Sequence, residues 1–380
     1  MTAVLVFKNA RIALADQIIE GWIAAKNGII ADFGTGDGPR TAVDAEGDIV
    51  MPGLVELHTD HLEQHLRPRP KVSWPRRPAI MAFDAQIAAS GITTVFDCIR
   101  AGNDADYAPQ RAEVEDVVST IEQARSSGML RADHHIHVRC EICADDVLEE
   151  TENAVRAHRV DLISLMDHTP GARQFTSLEA WRTYYGGKSG LSDRDLDRLI
   201  EHKREQFQRN YKTHRKYLVS LARERVIVLA SHDDATHEHV AESVDDQVAI
   251  AEFPTSTEAA RMSHAAGIQV LMGAPNVVRG GSHSGNIAAE TLAREGYLDV
   301  LSSDYVPASL LLGAFDLARR IDGYGLPRAL RTVTLNPARA ARLEDRGVIE
   351  IGKRADLIRV ASVENAPVVR EVYREGRRVI

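Results

Sequence analysis

Hydrophobic positions along the chain fall into two regimes. At both ends they form short, often β-branched runs punctuated by Asn, Asp and Gly. These are Val4–Phe7, Arg11–Leu14, Gly21–Ala25 and Gly28–Phe33 at the start, and Gly347–Ile351, Ala355–Val360, Val368–Arg374 and Arg377–Ile380 at the end. Each reads as a strand bounded by turns, and the likeness of the two ends predicts one small β-sandwich built from both termini. Between them, compact apolar runs alternate with longer amphipathic stretches. The runs Leu54–Thr59, Ile92–Asp97, His134–Cys140, Asp161–Asp167, Val226–Ser231, Val248–Glu252, Ile268–Gly273 and Leu298–Ser303 suit parallel strands buried on both faces. Pro109–Ser127 and Ala144–Arg159 read as intervening helices, the second acidic early and basic late, as the helix dipole favours. Thr255 and Glu258 make a capping-box pattern ahead of Ala259–Ala266. Eight strand–helix repeats predict an α/β protein with a (β/α)8 TIM-type barrel, an open doubly wound sheet being the alternative. The expected division is 1–52 and 335–380 for the two parts of the β domain and 53–334 for the barrel. Ser192–Arg225 breaks the repeat. It is dense in Arg, Lys, Asp and Glu and reads as a solvated helix or helix pair inserted after the fourth strand.

Composition narrows the class. Of 380 residues, 44% are hydrophobic and 27% charged, which fits a globular chain and excludes a disordered one or a coiled coil. No apolar run is long enough for a transmembrane helix, and Met1–Phe7 has no basic segment of a signal peptide. The net charge of −9 argues against a nucleic-acid surface. Three cysteines fit a reducing compartment. The expectation is a cytoplasmic protein whose partners are neither nucleic acid nor membrane. The single Cys140-x-x-Cys143 motif lacks the second pair a structural zinc site needs, and reads as packed thiols.

The 15 histidines carry the first hint of chemistry. In a (β/α)8 barrel the active site lies at the C-terminal ends of the strands. Read in order, those ends carry His58-Thr59-Asp60-His61, Arg139-Cys140-Glu141, Asp167-His168-Thr169, Ser231-His232-Asp233-Asp234, Glu252, Asn276 and Ser303-Asp304. One such terminus can be a helix cap; six in order are hard to obtain that way. His58 and Asp60 are two apart, so on a strand they point the same way and can chelate one ion, although a packed histidine beside a capping aspartate has the same spacing. Glu141, His168, His232 and Asp304 complete a set of imidazoles and carboxylates suited to Zn²⁺, Mn²⁺ or Fe²⁺.

Met51-Pro52-Gly53-Leu54-Val55-Glu56-Leu57-His58 resembles the "MPGxxDxH" entry of the amidohydrolase superfamily, and Gly347–Leu357 resembles its "GxIxxGKxADL" exit, preceded by Asn336-Pro337-Ala338. The resemblance brackets the whole barrel. It implies a metal site in which His58 and Asp60 match the strand-one pair, Glu141 the bridging position, His168 and His232 the later histidines, and Asp304 the strand-eight aspartate. Asp60 departs from the usual second histidine; the adjacent His61 would point to the opposite face. Longer blocks around Val55–Asp60, Asp167–Phe175, Gly273–Asn286 and Leu301–Tyr305 resemble the PhnM family of phosphonate metabolism, where the His-Thr-Asp form is normal. That resemblance, not composition or spacing, implies hydrolysis of α-D-ribose 1-methylphosphonate 5-triphosphate upstream of carbon–phosphorus lyase. It implies one or two divalent ions, zinc first with manganese or iron as alternatives, and Asp304 as the base that accepts a proton from water. A small phosphorylated substrate and a homo-oligomer, a dimer first, follow from it too. An amidohydrolase acting on a cyclic amide or other C–N bond is the alternative. For a triphosphate the chain needs local cations. The candidates are Arg173, Lys188, Arg279 and His283, with Asn276 beside them, and the basic run Arg67–Arg77.

Overall fold

A computed structural model describes residues 4–69, 71–102, 114–173, 178–179, 181–183, 192–282 and 285–380. The chain opens with β1 (Val4–Ala13), β2 (Ile18–Lys26), β3 (Ile29–Thr35), β4 (Val43–Asp44) and β5 (Ile49–Pro52). Val4–Phe7 and Arg11–Leu14 join into one strand, because Asn9 takes a positive φ of 50° and absorbs a register shift between Phe7 and Ala10. The barrel strands follow: β6 (Leu54–Thr59), β7 (Ile92–Ala101), β8 (Asp133–Glu141), β9 (Leu162–Met166), β10 (Val228–His232), β11 (Ile250–Glu252), β12 (Gln269–Gly273) and β13 (Val300–Ser302). They pair in sequence as an eight-stranded parallel sheet. Its edges meet where Thr59 bridges Asp304, with Asp60 N donating to Asp304 O (3.0 Å) and Asp304 N to His58 O (3.1 Å). All eight expected strands are present in this nearly closed barrel.

The chain returns through β14 (Leu357–Val363), β15 (Ala366–Arg374) and β16 (Arg377–Arg378). These join the N-terminal strands in one mixed sheet of order β16-β15-β14-β5-β1-β2-β3, with β4 against β1. The β unit from both termini is thus realised. Gly347–Ile351 is not a strand in it, although Ile349 is buried in its core. The sheet encloses Phe7, Ile12, Ile23, Ile30, Val50 and Leu357. Two arginines tie it to the barrel: Arg346 and Arg354 both reach Asp133 at the start of β8, at 2.6 and 2.9 Å.

Two apolar layers hold the barrel. Inside, Val55, Leu57, Phe96, Leu162, Val228, Ile250, Leu271 and Val300 pack together, and Ala338, Ala340 and Ala341 share that cluster. Outside, strands and helices bury Phe83, Ile87, Val118, Ile121, Ile163, Leu229 and Leu310. The helix Thr257–Ala265 starts one residue later than the capping-box pattern implies. Ser256, extended at φ −131°, is the cap and accepts from Ala259 N at 3.1 Å. Ser192–Arg225 resolves into one helix, Asp193–Arg225, capped by Ser192.

Candidate active site

The carboxyl ends of the barrel strands bring the chemistry together. β6 carries His58 and leads to Asp60; β7 carries Arg100; β8 carries Arg139 and Glu141. His168 follows β9, His232 ends β10, Glu252 ends β11 and Asp304 follows β13. Side chains alternate along a strand, so His135, His137, Arg139 and Glu141 share the inward face of β8. His135 stacks on Phe96 at the bottom (centroids 4.8 Å apart), His137 sits 5.3 Å from the His58 ring, and Glu141 reaches the rim.

Glu252 is the hub. Its Oε1 lies 2.9 Å from His58 Nδ1 and its Oε2 3.1 Å from His232 Nδ1, while Ser164 Oγ donates to Oε2 at 2.8 Å. An ionised carboxylate only accepts, so both imidazoles donate from Nδ1 and turn Nε2 outward. Burial opposes ionisation of Glu252, but the two imidazoles and their hydrogen bonds hold it well below the usual carboxylate range. The rings of His58 and His232 stack at 5.6 Å, and Phe253 stands edge-on to both at 4.9 and 5.3 Å. Below them His137 contacts Leu57 O (2.9 Å) and Ser164 Oγ, and burial pushes its pKa down to about 3.

A second carboxylate holds the next histidine in the same way. Glu141 Oε2 lies 2.6 Å from His168 Nδ1, and Arg100 Nη2 donates to the same oxygen at 2.9 Å. Burial works against that charge, but His168, Arg100 and Lys203 outweigh it and keep Glu141 ionised. Asp60 is paired with Arg139. Burial would raise its carboxyl, yet Arg139 brings it down to about 2. Asp304 sits at φ +53° and is pushed up to about 7, by burial first and then by the nearby Asp60 charge. Beneath them the buried Glu56, pushed up to about 8 by burial, accepts from His58 N (2.6 Å) and Ser303 N (2.5 Å). It thereby fixes β6 against β13.

Among the described residues, three groups place their donor atoms close enough to share an ion: His58, His232 and Glu252; His168, His232 and Asp233; and His58, Cys98 and His137. Imidazole and carboxylate donors of this kind fit a divalent cation. The oriented Nδ1 atoms add the outer support that metal-binding histidines need. His58 and His168 each fall in such a group with His232, while Asp60 and Glu141 hold arginine partners in this arrangement. Of the expected substrate residues, Arg173 requires correction. It is 2% exposed, and its guanidinium faces inward to Asp234 (2.5 Å), Tyr211 (2.9 Å) and the carbonyl of His232 (3.3 Å). Asn276 bridges backbone, donating to Ile287 O (3.2 Å) and accepting from Ala289 N (3.0 Å). Arg279 is exposed at the end of the helix Ala274–Arg279. Lys188 and His283 lie outside the described residues. Arg139 and Glu252 were visible at strand ends but were given no role, and His137 and Arg100 were not placed in the site. The period-two H-x-H-x-R-x-E of β8 was the visible signal for His137 and Arg139.

Histidines and carboxylates ringing the carboxyl end of a (β/α)8 barrel, with a sheet made from both termini, define a metal-dependent hydrolase of the amidohydrolase type. The comparison bears this out: the family model described as "Amidohydrolase family" matches residues 77–380, and the chain belongs to that family. The α-D-ribose 1-methylphosphonate 5-triphosphate diphosphatase of Escherichia coli strain K12 is 45% identical over 99% of this chain and 100% of its own length. Solved structures share the fold at low identity. Molinate hydrolase superposes with a TM-score of 0.65 at 16% identity, covering 100% of this chain and 95% of its own. The 5-methylcytosine deaminase of Klebsiella pneumoniae gives 0.64 at 17%, covering 99% and 98%.

Proposed function

We infer that the protein is a diphosphatase that hydrolyses α-D-ribose 1-methylphosphonate 5-triphosphate and releases pyrophosphate, as an enzyme of phosphonate catabolism. The observation that carries this is the end-to-end 45% identity to the diphosphatase of Escherichia coli. The cluster of imidazoles, carboxylates and arginines described above is consistent with it. His58, His168 and His232 would hold one or two divalent ions, zinc first among them, with Asp60, Glu141 and Asp304 as further donors. When bound, such an ion polarises phosphoryl oxygens and lowers the pKa of water. Asp304 would take the proton of the attacking water from its place beside Asp60, where β6 and β13 meet. Glu252 would hold His58 and His232 in one tautomer. Arg100 and Arg139, two fixed guanidinium groups on adjacent strands, would meet the charge of the triphosphate. Arg279 would add a cation from the rim. We further propose a homodimer in the cytoplasm. The three buried, unpaired cysteines suit a reducing compartment, and no helix among the described residues is long and apolar enough to cross a membrane.

The decisive experiment is product analysis. The enzyme is loaded with metal and incubated with the ribose 5-triphosphate, and the products are followed by phosphorus NMR. Pyrophosphate is expected in equal amount to the ribose monophosphate. Release of orthophosphate instead would move the cleaved bond. No turnover, together with hydrolysis of a cyclic imide, would replace this reading with C–N bond hydrolysis.

A further inference from the structure

The carboxylate of Asp233 is the group at the barrel mouth for which the reaction above has no use. Asp233 follows His232 directly, and on a continuing strand its side chain would point to the opposite face. Instead it takes a positive φ of 55°, a conformation that Asp adopts more readily than most residues. Its N–H donates to Glu252 O at 2.9 Å. The turn brings Oδ2 to 3.4 Å from Nε2 of His232. The residue is 4% exposed, and Oδ2 is buried without a hydrogen-bond partner among the described residues.

A buried carboxylate oxygen without a partner is costly, and the protons around it are committed elsewhere. His232 donates from Nδ1 to Oε2 of Glu252, and His168 donates from Nδ1 to Oε2 of Glu141. In a neutral imidazole the other nitrogen then carries a lone pair, so Nε2 is what each ring has left to offer. A ring nitrogen of His168, a ring nitrogen of His232 and a carboxylate oxygen of Asp233 lie within 4.8 Å of one another. Between His232 and Asp233 a nitrogen and an oxygen face each other with no proton aligned between them. A divalent cation is what such a set of nitrogen and oxygen donors holds. Other carboxylates of the mouth are already satisfied: Asp60 by Arg139, Glu141 by Arg100 and His168.

We propose that Asp233 is a ligand of the divalent ion, shared with His168 and His232, and that this corner binds the ion more tightly than the His58–Asp60 pair. The inference rests on the metal dependence of the proposed reaction and leaves its substrate open. It departs from the family resemblance, which puts the strand-one pair first and gives Asp233 no part. The reason is charge balance. Asp60 would have to give up Arg139 to reach an ion, whereas Oδ2 of Asp233 has no hydrogen bond to lose. Glu252 and Glu141 hold the two imidazoles from outside, as ion-binding histidines require.

Zinc affinity, by competition with a chromophoric chelator, and guanidinium unfolding of the metal-free protein are measured for the wild type, D233N and D60N. D233N is expected to weaken zinc binding by about 100-fold or more, beyond the loss of an outer partner, while D60N stays within about tenfold of wild type. Metal-free D233N should be at least as stable as the wild type, because Asn keeps the turn and removes an unpaired buried charge. A merely structural Asp233 predicts the reverse: lowered stability with zinc affinity unchanged, which would overturn the assignment. A greater loss of affinity in D60N than in D233N would overturn it too. Should D233N fail to fold, zinc-edge X-ray absorption of the loaded wild type decides. Two imidazoles with oxygen donors support the site; three imidazoles or a sulfur donor overturn it. Zinc bound through Asp233 in a protein that hydrolyses no triphosphate would sustain the ligand and overturn the diphosphatase reading.

Discussion

Replacing Glu252 by Gln tests whether one buried carboxylate orients both histidines of the cluster. The change keeps the shape of the side chain and removes its charge. The carboxylate accepts from His58 Nδ1 at 2.9 Å on one oxygen, and from His232 Nδ1 at 3.1 Å and Ser164 Oγ at 2.8 Å on the other. A glutamine offers one oxygen and one amino group. Whichever way it turns, its amino group meets the Nδ1–H of one imidazole. That ring must flip, change tautomer or lose its partner. In each case its Nε2 is no longer held outward.

The magnitude follows from the bonds lost. One charge-assisted hydrogen bond is worth about 1.5–3 kcal/mol, and a buried donor left without an acceptor costs about 1–3 kcal/mol. Removing the outer partner of a metal-binding histidine typically costs about 10- to 100-fold in metal affinity or activity. E252Q is therefore expected to weaken zinc binding by about 10- to 100-fold, measured by competition with a chromophoric chelator. The metal-free protein should lose about 2–4 kcal/mol in guanidinium unfolding. Ring-nitrogen NMR shifts of His58 and His232 should show one histidine changing tautomer. Zinc affinity within threefold of wild type, with both tautomers kept, would refute the reasoning: the histidines would then be positioned by packing against Phe253 alone.

Three further outcomes follow from particular residues. Asp304→Asn should lower kcat by about 10²- to 10⁴-fold with metal content and melting temperature nearly unchanged, because Asn tolerates the positive φ at this position; normal kcat with a lowered melting temperature would leave Asp304 only its backbone role in closing the barrel. His134 is buried, which lowers its pKa, but Asp97 and Asp84 more than offset this and raise it to about 9. Its contribution is then fully present below the unfolded histidine value of about 6.5 and lost as pH rises through 9, so the stability gap between wild type and H134Q should shrink between pH 6 and 10 in guanidinium titrations; a gap independent of pH would contradict it. Arg173→Met leaves Asp234 an uncompensated buried charge and should cost about 3–5 kcal/mol in unfolding; a raised KM for the triphosphate with wild-type stability would return Arg173 to the substrate.

The strand ends were legible because of a simple constraint. A parallel strand covered on both faces is mostly apolar until it exits, so the polar residues that close each run mark the rim. This is why His58, His168, His232 and Asp304 could be placed together from their positions alone. What could not be read was how the side chains pair across the barrel. Glu141 and Glu252 both end strands, yet only Glu252 sits between two imidazoles, because β11 lies beside β10 and its side chain crosses the barrel to β6. Arg139 finds Asp60, 79 positions earlier. Such pairings depend on barrel closure, which the spacing of residues along one strand does not contain.

The inserted helix shows a different limit. Its buried positions Leu196, Leu199, Ile200, Lys203, Asn210, Arg215, Leu218 and Ala222 recur at helical spacing along one face. The stripe begins apolar, becomes polar for its middle turns, and is apolar again at the end. A pattern read from hydrophobicity alone loses the face where Lys203, Asn210 and Arg215 continue it, and assigns the segment to solvent. Those polar positions are the ones that meet polar partners on neighbouring segments, Asn210 the carbonyl of Cys143 and Arg215 the carboxylate of Asp246. The helix hides its inward face in the sequence because that face is built to contact polar chemistry rather than a core.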